Sequence, residues 1–79
     1  MKFWVRSGTL EVYVVAFDPR EAAIKALRQM LPTDRLGLLI GVYPLKEDGY
    51  TVNKDESSCR AFVTECLAND VGILLREVK

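Results

Sequence analysis

The sequence predicts an α+β fold with the element order β-β-α-β-(β)-α-β, in which a mostly antiparallel sheet of four or five strands has two helices packed on one face. Three observations support this prediction. Residues 1–17 alternate apolar and polar side chains around a Ser-Gly dipeptide, an Asp-Pro pair opens a segment of helical periodicity, and glycine and proline interrupt an apolar run over 36–45. At 79 residues the chain has room for one domain, 1–79, near the lower size limit for a self-sufficient core.

Residues 1–17 predict a β-hairpin with Ser7-Gly8 as its two-residue loop, because glycine supplies the positive φ that tight hairpin turns need. In that register Trp4 faces Glu11, and Tyr13 lies diagonally across from Trp4. Alternation then separates two faces of the hairpin. The core face carries Phe3, Val5, Leu10, Val12 and Val14, and the outer face carries Lys2, Trp4, Arg6, Thr9, Glu11, Tyr13 and Val15.

The stretch Asp18-Pro19-Arg20-Glu21 predicts the start of the first helix, since Asp caps, Pro suits the first helical position and Glu follows three residues after the cap. Pro32 ends this helix near residue 31. The predicted apolar side of the helix comprises Ala23, Ile24, Ala26, Leu27, Met30 and Leu31. A right-handed crossover would make the third strand parallel to the second, and we expect it to pair antiparallel with the first.

Residues 36–45 predict the third strand. Leu36, Leu38, Ile40 and Val42 alternate with Gly37, Leu39, Gly41 and Tyr43, so the strand is apolar on both sides. A turn over 46–49 leads to a short returning strand over 50–52.

A second helix is predicted from Asn53 or Asp55 to Asn69-Asp70, followed by a closing strand over 71–78. Its apolar face has helical spacing and comprises Cys59, Phe62, Val63, Cys66 and Leu67. This places both cysteines in the core, about 10.5 Å apart along the helix axis, too far for a disulfide. Thiols that stay reduced, and an N-terminus without a signal-peptide core, indicate a cytoplasmic protein. No apolar run approaches the length of a membrane span.

The composition argues against most enzymatic chemistry. The chain has no histidine, which removes the usual general base near neutral pH and the usual nitrogen ligand of zinc. The acidic pairs Glu47-Asp48 and Asp55-Glu56 fit a turn and a helix start, and the five glycines form no phosphate-binding motif. We therefore predict no catalytic residue, no cofactor and no metal site. An enzyme would need a site that forms only between subunits.

One constellation points to binding. We expect an interaction surface on the sheet face away from the helices, formed by Lys2, Trp4, Arg6, Tyr13, Leu39 and Tyr43. Three interpretations remain open. In the first, Trp4 packs within its own sheet. In the second, the surface binds protein, which is a second copy of the chain or another partner. In the third, the surface stacks the bases of a single-stranded nucleic acid. Eleven basic residues balance eleven acidic ones, which disfavours the nucleic acid.

Overall fold

The computed structural model describes residues 1–53 and 59–72. Its elements in chain order are β1 (Lys2–Ser7), β2 (Leu10–Val15), α1 (Pro19–Arg28), β3 (Leu39–Pro44), β4 (Arg60–Val63) and α2 (Thr64–Asp70). The four strands form one antiparallel sheet in the order β2-β1-β3-β4. The predicted α+β class is confirmed, with four strands among the described residues.

The hairpin of β1 and β2 keeps its predicted faces but not its predicted register. Its loop is Gly8-Thr9, because Ser7 pairs with Leu10 as the last residue of β1. Ser7 is buried, and its hydroxyl donates to the Leu39 carbonyl at 2.7 Å, which fixes it inside the sheet. Moving the loop by one residue shifts every cross-strand partner by two, so no side chain changes face.

The start of α1 is confirmed in detail. The Glu21 N–H donates to Asp18 Oδ1 at 2.8 Å, and Glu21 Oε1 accepts from the Phe17 N–H at 2.9 Å. The helix ends earlier than predicted, at Arg28. Leu31, assigned to the core by periodicity, is therefore beyond the helix and 62% exposed. Its N–H instead bonds to the Asp34 carboxylate at 2.9 Å.

The strand pairing on either side of α1 is as predicted, since β3 pairs antiparallel with β1 and so runs parallel to β2. The third strand begins later than predicted, at Leu39. Residues 35–38 form a loop instead, because the Gly37 N–H donates to Ser7 Oγ at 3.0 Å and its carbonyl accepts from Thr64 Oγ1 at 2.8 Å. Leu38, which the predicted strand places on the same side as the buried Ile40 and Val42, is consequently 89% exposed.

The second half of the chain departs most from the sequence prediction. Residues 60–63 form β4 beside β3, and the helix covers only Thr64–Asp70. Phe62 packs opposite the buried Ile40, a pairing that a helix through these residues would not allow. The predicted returning strand over 50–52 is reduced to a single bridge between Leu45 and Val52.

Two predicted features lie outside the described residues: the helix start over 54–58 and most of the closing strand over 71–78. Val71 and Gly72 themselves form a turn.

The core lies between the sheet and the two helices. The largest side chains that are fully buried there are Phe3, Leu10, Ile40, Val5 and Val42. From the helices, the same cluster takes in Ala22, Ala23, Ala26, Leu27 and Leu67. The helices therefore cover one sheet face only, and leave the opposite face to form a surface. Within 1–53 and 59–72, neither helix has the length and apolarity needed to cross a bilayer.

Candidate functional site

The sheet face opposite the helices, here called the open face, contains all six residues of the predicted interaction surface. The alternation of the four strands also places further residues on it. Its members are Lys2, Trp4 and Arg6 from β1, Glu11, Tyr13 and Val15 from β2, Leu39, Gly41 and Tyr43 from β3, and Ala61 and Val63 from β4.

An aromatic row crosses the middle of the open face. Trp4 on the inner strand β1 lies directly opposite Tyr13 on one side and directly opposite Tyr43 on the other. The predicted positions of Tyr13 and Glu11 relative to Trp4 are therefore exchanged. Tyr13 is the direct cross-strand neighbour of Trp4, and Glu11 is the diagonal one. The Trp4 and Tyr43 ring centroids are 5.3 Å apart with planes inclined by 37°. Three aromatic residues thus lie in one row across three strands, with a ring contact between Trp4 and Tyr43.

Trp4 is oriented by a hydrogen bond as well as by its ring contact. Its Nε1–H donates to Glu11 Oε1 at 3.2 Å. Glu11 is also the direct cross-strand neighbour of Arg6, so opposite charges sit side by side next to the aromatic row. The hydrogen bond and the ring contact with Tyr43 together hold the indole in one orientation.

Gly41 provides the space in which Tyr43 lies. A Cβ atom on Gly41 would come within 2.8 Å of the Tyr43 hydroxyl oxygen and 2.9 Å of its ring. The phenol ring therefore folds back along its own strand over the glycine. Tyr43 therefore fills the space that the missing side chain of Gly41 leaves on the open face.

An apolar end of the open face adjoins the aromatic row. Leu39 and Val63 are direct cross-strand neighbours, and they are 54% and 51% exposed. Sequence reasoning missed Val63 and Ala61, because it assigned both to a helix. The signal that could have found them is the alternation within Arg60–Val63, where only Phe62 turns toward the core.

Lys2 marks the other end of the open face, where the turn after β3 approaches it. The Lys2 ammonium lies 5.6 Å from the centroid of the Tyr50 ring, a cation–π contact. Gly49 in the same turn comes close to Lys2, since a Cβ on Gly49 would be 3.6 Å from Lys2 Nζ. Tyr50 thereby extends the aromatic surface, although the sequence placed it in a returning strand.

Outside the open face, the turn after β3 contains a carboxylate that accepts several hydrogen bonds. In this turn the pKa of Asp48 is lowered to about 2, chiefly by the Thr51 hydroxyl and then by the Thr51 and Tyr50 N–H groups that donate to its carboxylate. No group of three or more His, Cys, Asp or Glu side chains in the described part of the chain could hold a metal ion.

Neither cysteine is in a disulfide, but their predicted burial in the core is wrong. Cys59 precedes β4 and is partly buried, with its Sγ 3.8 Å from the Asn53 carbonyl oxygen. Cys66 is exposed on α2, because that helix begins at Thr64 and turns Leu67 and Ala68 toward the core.

The open face is thus an aromatic row flanked by apolar and charged side chains. Comparison of the chain with protein-family models, with curated proteins and with solved structures finds no match.

Proposed function

We propose that this chain is a small non-catalytic interaction domain that binds a protein through its open face. The observation that supports the proposal is the exposure of large apolar side chains around the aromatic row. Tyr13, Val15, Leu39 and Val63 are all more than half exposed. The sheet faces of antiparallel proteins that meet water usually carry polar side chains, and contiguous apolar surface marks interaction sites.

The composition of the open face suits protein better than other partners. Its centre is aromatic and apolar, while Lys2, Arg6 and Glu11 supply charges of both signs. Buried interface centres are typically rich in Tyr and Trp and contain few charged residues except Arg. Trp4 and Tyr13, with Arg6 beside them, are the residues expected to contribute most of the binding energy.

The partner in this proposal is a second copy of the chain or a different protein. A short chain often enlarges its core by association, and a formal net charge of zero gives two copies no long-range repulsion. Two cysteines outside any disulfide suit a reducing compartment, so we place the interaction in the cytoplasm.

A matched pair of leucine variants tests the proposal. Leu39→Lys puts a charge into the open face, whereas Leu31→Lys puts the same charge on a leucine of similar exposure that is off the sheet. Sedimentation measures self-association, and cross-linking in the source cells followed by mass spectrometry identifies other partners. We expect Leu39→Lys to weaken association about tenfold or more while Leu31→Lys leaves it unchanged. Equal behaviour of the two folded variants would contradict a role for the open face.

The second candidate function is binding of a single-stranded nucleic acid at the same place. The specific observation in its favour is the alignment of Tyr13, Trp4 and Tyr43 in one row, with Lys2 and Arg6 on the same strand as Trp4. Successive bases stack on such rows while basic side chains meet phosphates.

Trp4 fluorescence separates the two candidates, because Trp4 is the only tryptophan. Titration with oligo(dT) or oligo(U) at low salt should quench the emission if bases stack on the row, and added salt should reverse the effect. The protein-binding proposal expects no quenching.

A further inference from the structure

The hydrogen-bond pattern of β2, an edge strand, fixes which of its backbone groups point away from the sheet. The Met1 amino group donates to the Ala16 carbonyl at 3.1 Å, and the Ala16 N–H donates to the Met1 carbonyl at 2.9 Å. In an antiparallel ladder every second residue shares such a double bond with its partner. Alternate residues counted back from Ala16 therefore bond to β1. The residues between them direct their N–H and C=O groups outward: Glu11, Tyr13 and Val15.

Both ends of this outer edge are covered by other parts of the chain. At one end the Thr9 N–H donates to the Arg35 carbonyl at 2.8 Å. At the other end Lys25 Nζ donates to the Val15 carbonyl at 2.6 Å. Lysines and covering loops are common means by which natural proteins protect an edge strand.

The middle of the edge lacks this protection. Residues 1–53 and 59–72 donate no hydrogen bond to the outward groups of Glu11 and Tyr13 and accept none from them. The strand Leu10–Val15 contains no proline, glycine or lysine, and it consists mainly of valine, leucine and tyrosine. It is therefore a mainly apolar edge strand, and Glu11 and Tyr13 near its centre lack such protection.

We propose that two copies of the chain pair through this stretch, β2 antiparallel to β2, about a two-fold axis at Val12. In that register Glu11 of each copy lies opposite Tyr13 of the other. All outward N–H and C=O groups of these two residues are then used, in four hydrogen bonds across the axis. A register centred on Tyr13 instead would need the Val15 carbonyl as an acceptor between the two copies. That carbonyl already accepts a hydrogen bond from Lys25.

The side chains agree with this register. Val12 is partly buried against the core, and in the pair it meets Val12 of the second copy at the closer, non-hydrogen-bonded spacing. On the open face Glu11 lies between Arg6 of its own chain and Tyr13 of the second copy. A register centred on Glu11 would place the two Glu11 side chains directly across from each other, and the repulsion of their like charges disfavours it.

Pairing at the edge enlarges the open face without covering it. Four strands of about six residues span roughly 19 Å by 20 Å, or about 400 Å² of flat area. Standard protein interfaces use about 800 Å² on each partner. Eight strands supply about that area, with both aromatic rows on the same side. The inference goes beyond the proposed function, because edge pairing occurs whether or not the open face binds anything.

Hydrogen exchange followed by NMR tests the pairing on the unmodified chain. Sedimentation first identifies concentrations at which the protein is monomeric and dimeric. In the dimer we expect the Glu11 and Tyr13 amides to exchange at least about tenfold more slowly than in the monomer. The Val12 and Val14 amides bond to β1 in both states, so they are internal controls. A dimer whose Tyr13 amide exchanges as in the monomer overturns the proposal, as does a chain that is still monomeric at about 1 mM.

Tyr13→Pro supplies the matching variant, since it removes one outward N–H and leaves the bonds to β1 in place. Slow exchange at Val12 and Val14 reports that the variant is folded. We expect this variant to be monomeric. A folded Tyr13→Pro protein that dimerises as the wild type does would also overturn the proposal. If the variant does not fold, the exchange data on the unmodified chain decide whether β2 pairs with β2.

Discussion

Trp4 and Tyr43 lie on neighbouring strands with their ring centroids 5.3 Å apart, and each ring is held by a further contact of its own. Trp4 donates its indole N–H to Glu11, and Tyr43 lies over the bare backbone of Gly41. Trp4 is nevertheless only partly buried. The structural interpretation of Trp4 and the binding interpretation are therefore compatible. The residue packs within its own sheet and still has part of its surface exposed.

Trp4→Ala should lower the free energy of unfolding by about 1–2 kcal/mol, because it removes an aromatic pair and the area that the indole covers. Urea denaturation followed by circular dichroism measures the change, since the variant lacks the only tryptophan.

Tyr13→Ala is the control for Trp4→Ala. Tyr13 lies in the same row but at the edge of the sheet and 53% exposed, so its removal should cost less than about 1 kcal/mol. Equal losses in the two variants would show that the Trp4–Tyr43 contact adds no stability.

The hairpin shows how far local sequence rules reach. They gave the wrong loop, because Ser7-Gly8 and Gly8-Thr9 both offer a glycine and only the tertiary contacts of the Ser7 hydroxyl decide between them. They gave the right faces, because alternation is insensitive to a two-residue shift of partners. Every hairpin residue of the predicted surface therefore lies on the predicted face, although its cross-strand partner differs.

The region after Cys59 shows where those rules fail. Phe62 and Leu67 both point to the core, and together with Cys59, Val63 and Cys66 they fit the spacing of one amphipathic helix. The chain instead changes from strand to helix between them, at Thr64. The deciding contacts are long-range: Phe62 opposite Ile40, and the Thr64 hydroxyl donating to the Gly37 carbonyl. The spacing of apolar residues in this segment does not indicate either of these long-range contacts.

The Cys66 thiol should react faster than the Cys59 thiol with a disulfide reagent such as DTNB, because Cys66 is exposed and Cys59 is partly buried. Two kinetic phases are expected in the native protein and a single fast phase in denaturant. Cys66→Ser should remove the fast native phase and leave the slow one. Loss of the slow phase instead would reverse the assignment.

Gly8→Ala should be severely destabilising, by about 3 kcal/mol or more, since two costs combine at this position. Gly8 has a φ of +57°, and its Cβ would lie 1.9 Å from the Arg35 carbonyl oxygen. Gly72 is the matched control. Its φ of +71° is similar, but a Cβ there meets no atom of residues 1–53 and 59–72 within 4 Å, so Gly72→Ala should cost only about 1–2 kcal/mol. Chemical denaturation compares the two, and equal costs would mean that the loop around Arg35 moves aside.

The turn at Asp48 should weaken in acid, in a pH range set by its carboxyl group. The pKa of Asp48 is lowered from 3.8 to about 2, first by the hydrogen bond from the Thr51 side chain. A depressed folded-state pKa stabilises the turn fully above about pH 4, and this contribution is lost as the pH falls toward 2. NMR titration of the Asp48 carboxyl carbon measures the pKa directly. Thr51→Val should raise this pKa toward its ordinary value, while Thr33→Val, which changes an exposed threonine elsewhere, should leave it unchanged. A wild-type Asp48 that titrates near 3.8 would mean that these bonds do not persist in solution.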